Sequence, residues 1–323
     1  MLRTAIIFAL VAFGCGDPTN SQSSGWLASA APARAASDST GGDPLPSWND
    51  GATKRALVDF VDRATREGGS DFVPLEARIA VFDNDGTLWT EQPFPPEVAF
   101  ALDRMKQTSL AGAGSAGLLA SAEAGMSTDA FARLVGDWIA TATHPRFKRH
   151  YTELVYQPML ELLAYLRARG FKTYLVSGDE TDFMRVWAER TYGIVPEQVI
   201  GTRLTLRYEE GSDGPILVRQ PRVELMDDKA GKAVGIEEMI GRRPIVAFGN
   251  SDGDLAMLEW TTSAPRFRLG VLVHHTDAIR EYAYDRDALV GRLARGLDEA
   301  AQHHWLVIDM KRDWNVVFPF ERR

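Results

Sequence analysis

The stretch Ile79-Ala80-Val81-Phe82-Asp83-Asn84-Asp85-Gly86-Thr87-Leu88-Trp89 organises this chain. Ile79 to Phe82 is a short apolar run and reads as a strand buried on both faces. Asp83, Asn84, Asp85 and Gly86 break it. Two carboxylates therefore arrive where a parallel strand ends and its loop begins, the edge at which open α/β sheets bind ligands. One carboxylate can attack while the other moves a proton, and together they can hold a hard cation. Asp-Asn-Asp-Gly is also good turn chemistry, which is the plain structural alternative. A calcium loop of the EF-hand kind does not fit. Its glycine spacing is wrong, and Phe94 stands where a bidentate Glu belongs.

The same kind of strand end recurs downstream. Gln157 to Arg169 is an amphipathic helix stopped by Gly170. Phe171 to Val176 is the next buried strand, ending in Ser177-Gly178-Asp179-Glu180, and Thr181 to Arg190 reads as a helix. Asp228 to Ile240 is a helix stopped by Gly241, with Lys229 and Lys232 near its start. Pro244 to Phe248 is a third buried strand, closed by Gly249-Asn250-Ser251-Asp252-Gly253-Asp254. Leu269 to Val273 and Trp305 to Met310 supply two more. This alternation predicts an α/β fold with a doubly wound parallel sheet. In such a sheet Asp83/Asp85, Ser177-Gly178 and Asn250/Asp254 lie on one edge and converge on one crevice. His274-His275 follows a further strand. Adjacent strand residues point to opposite faces, so the pair does not easily bind one ion, and a structural role is expected.

Two segments interrupt the alternation. Between Thr90 and Thr152 no strand pattern stands out. Pro96 to Lys106 looks helical, and Ser127-Thr128 can cap a helix carrying Phe131, Leu134, Val135, Trp138 and Ile139. Gly112 to Gly117 is a small-residue loop. The expectation is a helical insertion over about residues 92–152. From Gly201 to Gln220, Leu204, Leu206 and Tyr208 alternate with polar residues around a Gly211-Ser212-Asp213-Gly214 turn, which predicts a β-hairpin. Ahead of the organising strand, Leu57, Phe60, Val61 and Ala64 repeat at helical spacing until Gly68-Gly69.

With 323 residues, 45% hydrophobic and 25% charged, the chain has an ordinary globular composition with ample core. A formal charge of −8 argues against a nucleic-acid partner, since no broad basic stripe is available to offset phosphates. Arg3 gives a positive n-region, and Ala5 to Phe13 is apolar but too short to span a bilayer. Ala12-Phe13-Gly14-Cys15 resembles a bacterial lipoprotein cleavage box, although Ala12 stands where that box usually has Leu. Cys15 is the sole cysteine and would carry the lipid. Residues 1–15 thus read as a signal peptide, residues 16–48 as a flexible tether rich in Ser, Ala, Gly, Asp and Pro, and residues 49–323 as the folded domain. The expected location is the periplasm or cell envelope, with the membrane as partner through an N-terminal lipid anchor.

The motifs in this order resemble the haloacid dehalogenase superfamily of phosphohydrolases. That family shows Asp-x-Asp-x-Thr after the first strand, a Ser or Thr after the next, then a Lys, then an acidic loop. This chain gives Asp83-Asn84-Asp85-Gly86-Thr87, Ser177, Lys229 or Lys232, and Gly249-Asn250-Ser251-Asp252-Gly253-Asp254. The helical insertion and the hairpin resemble the small-capped, phosphoserine-phosphatase-like branch. The resemblance implies a Mg²⁺-dependent phosphatase acting on a small phosphomonoester through an aspartyl phosphate. Asp83 would be the nucleophile and Asp85 the acid and base. Thr87, Ser177, Gly178 and Lys232 or Lys229 would face the substrate. Asp83, Asp85, Asn250 and Asp254 would serve the metal. Asn250 departs from the family, which has Asp there, and Asp252 is an alternative ligand. The rival readings are a phosphotransferase or phosphomutase sharing the covalent step, and a membrane-tethered binding protein on a hydrolase fold.

Overall fold

Strand β1 (Ile79–Phe82) is buried along its whole length and pairs in parallel on both sides. Its neighbours are β2 (Lys172–Glu180) and β5 (Val246–Gly249). The computed structural model describes residues 42–108 and 124–321, and the fold is that of Asp43–Arg323. The expected signal peptide, Cys15, the tether up to residue 41 and the Gly112 to Gly117 loop lie outside the described residues. β3 (Val199–Gly211) extends the sheet in parallel beyond β2, β6 (Leu269–Thr276) does so beyond β5, and β8 (Leu306–Asp309) lies parallel to β6. β4 (Gly214–Leu225) and the short β7 (Ala283–Tyr284) are antiparallel additions at the two ends. The order is β4-β3-β2-β1-β5-β6-β7, with β8 also on β6.

Strand alternation divides the core into two layers. Ala80 and Phe82 face the side of α1 (Ala52–Thr65) and α4 (Gln157–Ala168), among Leu57, Phe60, Leu162 and Leu163. Ile79 and Val81 face the other side, among Ile236 of α7 (Ala230–Ile240) and Met257 and Leu258 of α8 (Leu255–Thr262). Phe82 and Phe248, neighbours across β1 and β5, stack with centroids 4.4 Å apart. Truncating a buried Phe to Ala costs about 3–5 kcal/mol, so this pair holds the strand that carries the Asp83 loop. The architecture is the expected α/β, doubly wound one.

The insertion contains α2 (Pro96–Thr108) and α3 (Thr128–Thr141). Ser127 caps α3 by accepting the Ala130 N–H at 3.2 Å, and Phe131, Val135 and Ile139 form its buried stripe. The hairpin of β3 and β4 docks on this helix. The buried Arg219 guanidinium lies 3.6 Å over the Phe131 ring, pairs with Glu180, and holds Asp182 at 2.9 Å. The Arg219 backbone bonds to Gly125 and Met126 at 2.9 Å each.

Four boundaries differ from the sequence reading. The folded domain begins before residue 49. Leu45, Ser47 and Trp48 are buried, Ser47 Oγ donates to Glu161 at 2.8 Å, and Trp48 Nε1 donates to the Pro158 carbonyl at 3.0 Å. β2 continues to Glu180, because Ser177 and Glu180 both still pair with β3 around an irregularity. The helix expected over Thr181 to Arg190 is two short ones, α5 (Thr181–Arg185) and α6 (Ala188–Tyr192). Between them the buried Trp187 stacks on Trp89 at 4.3 Å, so a ring beneath the Asp85 loop takes precedence over helix continuity. Last, α7 starts at Ala230 rather than Asp228, after Lys229 with φ of 53°.

Candidate active site

The chain leaves β1 at Asp83, whose N–H still donates to the Phe248 carbonyl of β5 at 2.9 Å. The Asn84 carbonyl accepts from Thr87 and Leu88 at 3.1 and 2.8 Å and closes a tight turn. Gly86 has φ of 75° in that turn, and a Cβ there would lie 2.0 Å from Asn250 Nδ2. Both the backbone angle and the close approach require glycine.

Helix α7 delivers Lys232 from below. Its ammonium lies 2.5 Å from Asp83 Oδ1, 2.5 Å from Asp254 Oδ1 and 3.2 Å from the Val176 carbonyl. Burial disfavours the charged lysine, but Asp254 and Asp83 outweigh it and hold its pKa above the ordinary value. Lys229 is left in solvent, with Asp228 its nearest acid at 4.0 Å. The two lysines are almost one helical turn apart, yet only Lys232 sits within the helix proper and on its inner face.

The Asp254 carboxylate is fully used by the protein. Oδ1 takes Lys232, and Oδ2 accepts from Asn250 N, Ser251 N and Ser251 Oγ at 3.0 Å each. Asp254 therefore shapes the loop that presents Asn250 and anchors Lys232 beside Asp83. Asp252 turns away altogether. It accepts from the N–H groups of Ala294, Arg295 and Gly296 at 3.1, 3.2 and 2.9 Å and caps α9 (Arg295–Glu299). Thr87 is likewise a support rather than a substrate contact. It is fully buried, with its hydroxyl 3.2 Å from Asp83 Oδ2 and 3.1 Å from Asn250 Oδ1.

The other side of the Asp83 loop is acidic. Asp85 Oδ1 accepts from Trp89 Nε1 at 2.7 Å. Burial, then the charges of Asp179, Asp83 and Glu91, raise the Asp85 carboxyl well above the carboxylate range. Asp179 sits at the end of β2, receives Asn84 Nδ2 at 3.2 Å, and is hydrogen-bonded to Asp85 and Glu97. Burial raises Asp83 too, and the Asp254 charge adds to it, to about 7 against the pull of Lys232. Ser177 Oγ is buried and accepts the Asp179 N–H at 3.2 Å. Gly178 is exposed, with open space where a Cβ would stand.

Asp83, Asp85, Ser177, Lys232 and Asn250 are thus brought together, whereas Lys229 and Asp252 are not. Sequence reasoning missed Glu91, Glu97 and Asp179, all buried or half-buried beside the expected pair. His275, for which a structural role is expected, reaches the same loop: its Nε2 donates to the Gly86 carbonyl at 2.7 Å while Nδ1 lies 3.2 Å from Glu281. Glu91 and Asp179 follow the motifs closely in sequence, and that proximity was the available signal. The oxygens of Asp83, Asn250 and the Asp85 loop, in a site with many buried carboxylates around Lys232, suit a hard divalent cation.

A family model described as haloacid dehalogenase-like hydrolase matches residues 80–259. A search of curated proteins gives no match. Similar solved structures include a conserved functionally unknown protein from Anaerococcus prevotii DSM 20548, at 22% identity and TM-score 0.37 over 48% of this chain and 46% of that one. This chain thus spans less than half of that protein's length. A protein with unknown function from Bordetella pertussis Tohama I matches at 17% identity and TM-score 0.44, over 72% and 98% of the two chains. A phosphoserine phosphohydrolase-like protein from Francisella tularensis subsp. tularensis SCHU S4 matches at 15% identity and TM-score 0.37, over 70% and 98%. The family match takes in more than half of the chain and every residue from Asp83 to Asp254, and the protein belongs to the haloacid dehalogenase-like hydrolases.

Proposed function

We propose that the protein is a Mg²⁺-dependent phosphatase acting on a small phosphomonoester through an aspartyl phosphate. The observation that carries this reading is the pairing of two unlike carboxyls in one turn. Asp83 is held against Lys232 at 2.5 Å, while burial, and then the charges of Asp179, Asp83 and Glu91, shift Asp85 toward its proton-bearing form. An Asp83 oxygen attacks phosphorus and the bond to the leaving alcohol breaks as Asp85 donates its proton to that oxygen. Water then attacks the aspartyl phosphate, Asp85 takes the proton back, and inorganic phosphate leaves with Asp83 restored. Lys232, and the backbone N–H groups about Gly178, offset the charge on the phosphoryl oxygens.

Asp83, the backbone carbonyl of Asp85 and Asn250 Oδ1 would hold the cation, which when bound neutralises phosphoryl charge and orients the group for in-line attack. The proposed cell-envelope location rests on the sequence around Cys15 alone. The test is release of inorganic phosphate from a panel of phosphomonoesters, with and without Mg²⁺. Turnover that depends on Mg²⁺ is expected, and no release from any ester would overturn the reading.

A further inference from the structure

Glu91 is buried where the Asp83 loop turns back, and its carboxylate occupies a place cleared by two glycines. A Cβ on Gly86 would lie 2.3 Å from Glu91 Oε1, and a Cβ on Gly291 would lie 2.0 Å from it. Both glycines have positive φ, 75° and 67°. Oε1 accepts two hydrogen bonds, from Asn250 Nδ2 at 2.6 Å and from the Tyr284 hydroxyl at 2.7 Å. An asparagine amide presents either its oxygen or its NH₂ to a given side, and the surrounding bonds decide which. Here Glu91 takes the NH₂, so Oδ1 is left on the side of Thr87 and Asp83, where Thr87 Oγ1 is 3.1 Å away.

We infer that Glu91 is the positioning residue of the metal site. It locks the Asn250 amide so that oxygen faces Asp83, and it supplies, one side chain farther out, the acidic group that Asn250 lacks. This inference rests on the proposed divalent-cation site. Groups that orient metal ligands typically affect affinity ten- to a hundredfold. By charge alone, Asn250→Asp would tighten the hold on a divalent cation, and Glu91 opposes that. Asn250→Asp alone would set a carboxylate oxygen in the place of Nδ2, against Glu91 Oε1, so added charge brings repulsion instead of tighter binding.

The test is calorimetric titration of the full chain with Mg²⁺, with no substrate present. Glu91→Leu, which removes the acceptor for Asn250 Nδ2, should weaken Mg²⁺ by about tenfold or more, and Asn250→Asp should bind no tighter than wild type. The exchange Glu91→Gln/Asn250→Asp restores one carboxylate and one amide in contact, and should return to within about threefold of wild type. Glu91→Asp keeps the carboxyl but shortens the reach, and should also weaken binding. It carries the test if Glu91→Leu does not fold. Wild-type affinity in Glu91→Leu or Glu91→Asp, or an exchange variant as weak as Glu91→Leu, would overturn the inference while leaving the phosphatase reading standing. Wild-type protein that binds no Mg²⁺ would overturn both.

Discussion

The Lys232 ammonium sits 2.5 Å from the Asp83 carboxylate across 149 positions of sequence. Its other arm holds Asp254 at the same distance, so one buried cation ties β1, α7 and the loop after β5 together. Removing one member of a buried pair costs about 3–5 kcal/mol, because the partner charge is left uncompensated. Lys232→Ala should therefore lose both stability and turnover, whereas Lys229→Ala should keep both. Urea unfolding and phosphate release on the two variants check this, and an inactive Lys229→Ala would refute it.

Asp85→Asn should slow alkyl phosphates, whose leaving groups need a proton, about a hundredfold or more. An activated aryl phosphate should suffer much less. Asp83→Asn should remove turnover of both, since it takes away the nucleophile. Equal slowing of the two esters by Asp85→Asn would rule out proton donation from that carboxyl.

Asp252 bonds to three backbone N–H groups at the start of α9 and to nothing at the Asp83 site. Asp252→Asn should lower stability by about 1 kcal/mol, the usual worth of a helix cap. The Mg²⁺ concentration for half-maximal activity should stay where it is. A marked rise would return Asp252 to the list of ligands.

Asp227 is fully buried and, among the described residues, neither of its side-chain oxygens finds a hydrogen-bond donor. Burial pushes its pKa from 3.8 to about 7, with Asp228 and Glu238 adding to the rise and Lys232 and Arg203 opposing it. A carboxyl raised in the folded state binds its proton more tightly there than when unfolded. The folded protein should therefore lose stability as pH climbs from about 4 to about 7, by at most about 4 kcal/mol from this group, and level off above. Asp227→Asn should flatten that slope. Parallel slopes for variant and wild type in urea titrations at pH 5 and pH 8 would contradict it.

Cys15→Ser should release the protein from the membrane fraction, because stable anchoring takes more than one acyl chain and the segment behind Cys15 has few large apolar residues to replace them. Fractionation of cells expressing the two forms decides it. Unchanged membrane association would remove the lipid anchor from the account.

What short-range pattern encodes was legible without coordinates. The apolar run Ile79 to Phe82, the period-3.6 stripe after Ser127 and the polar residues directly after each buried strand all reflect local geometry, which fixes which way each side chain must face. Parallel pairing then puts those strand ends on one edge, so Asp83, Ser177 and Asn250 meet. What lay beyond reach was direction within loops and helix starts. The sequence favours Lys232 only narrowly over Lys229, and the choice is made when the backbone at Lys229 takes φ of 53° and α7 turns Lys232 inward. Asp252 and Asn250 are two residues apart, and only the N-terminus of α9, more than forty residues later, draws Asp252 away. Glu91 stands outside every motif read from the sequence. It became part of the site because Gly86 and Gly291 leave room for its carboxylate and Tyr284 and Asn250 supply the donors. A charged side chain is buried only where distant parts of the fold bring it partners, and no local pattern specifies those.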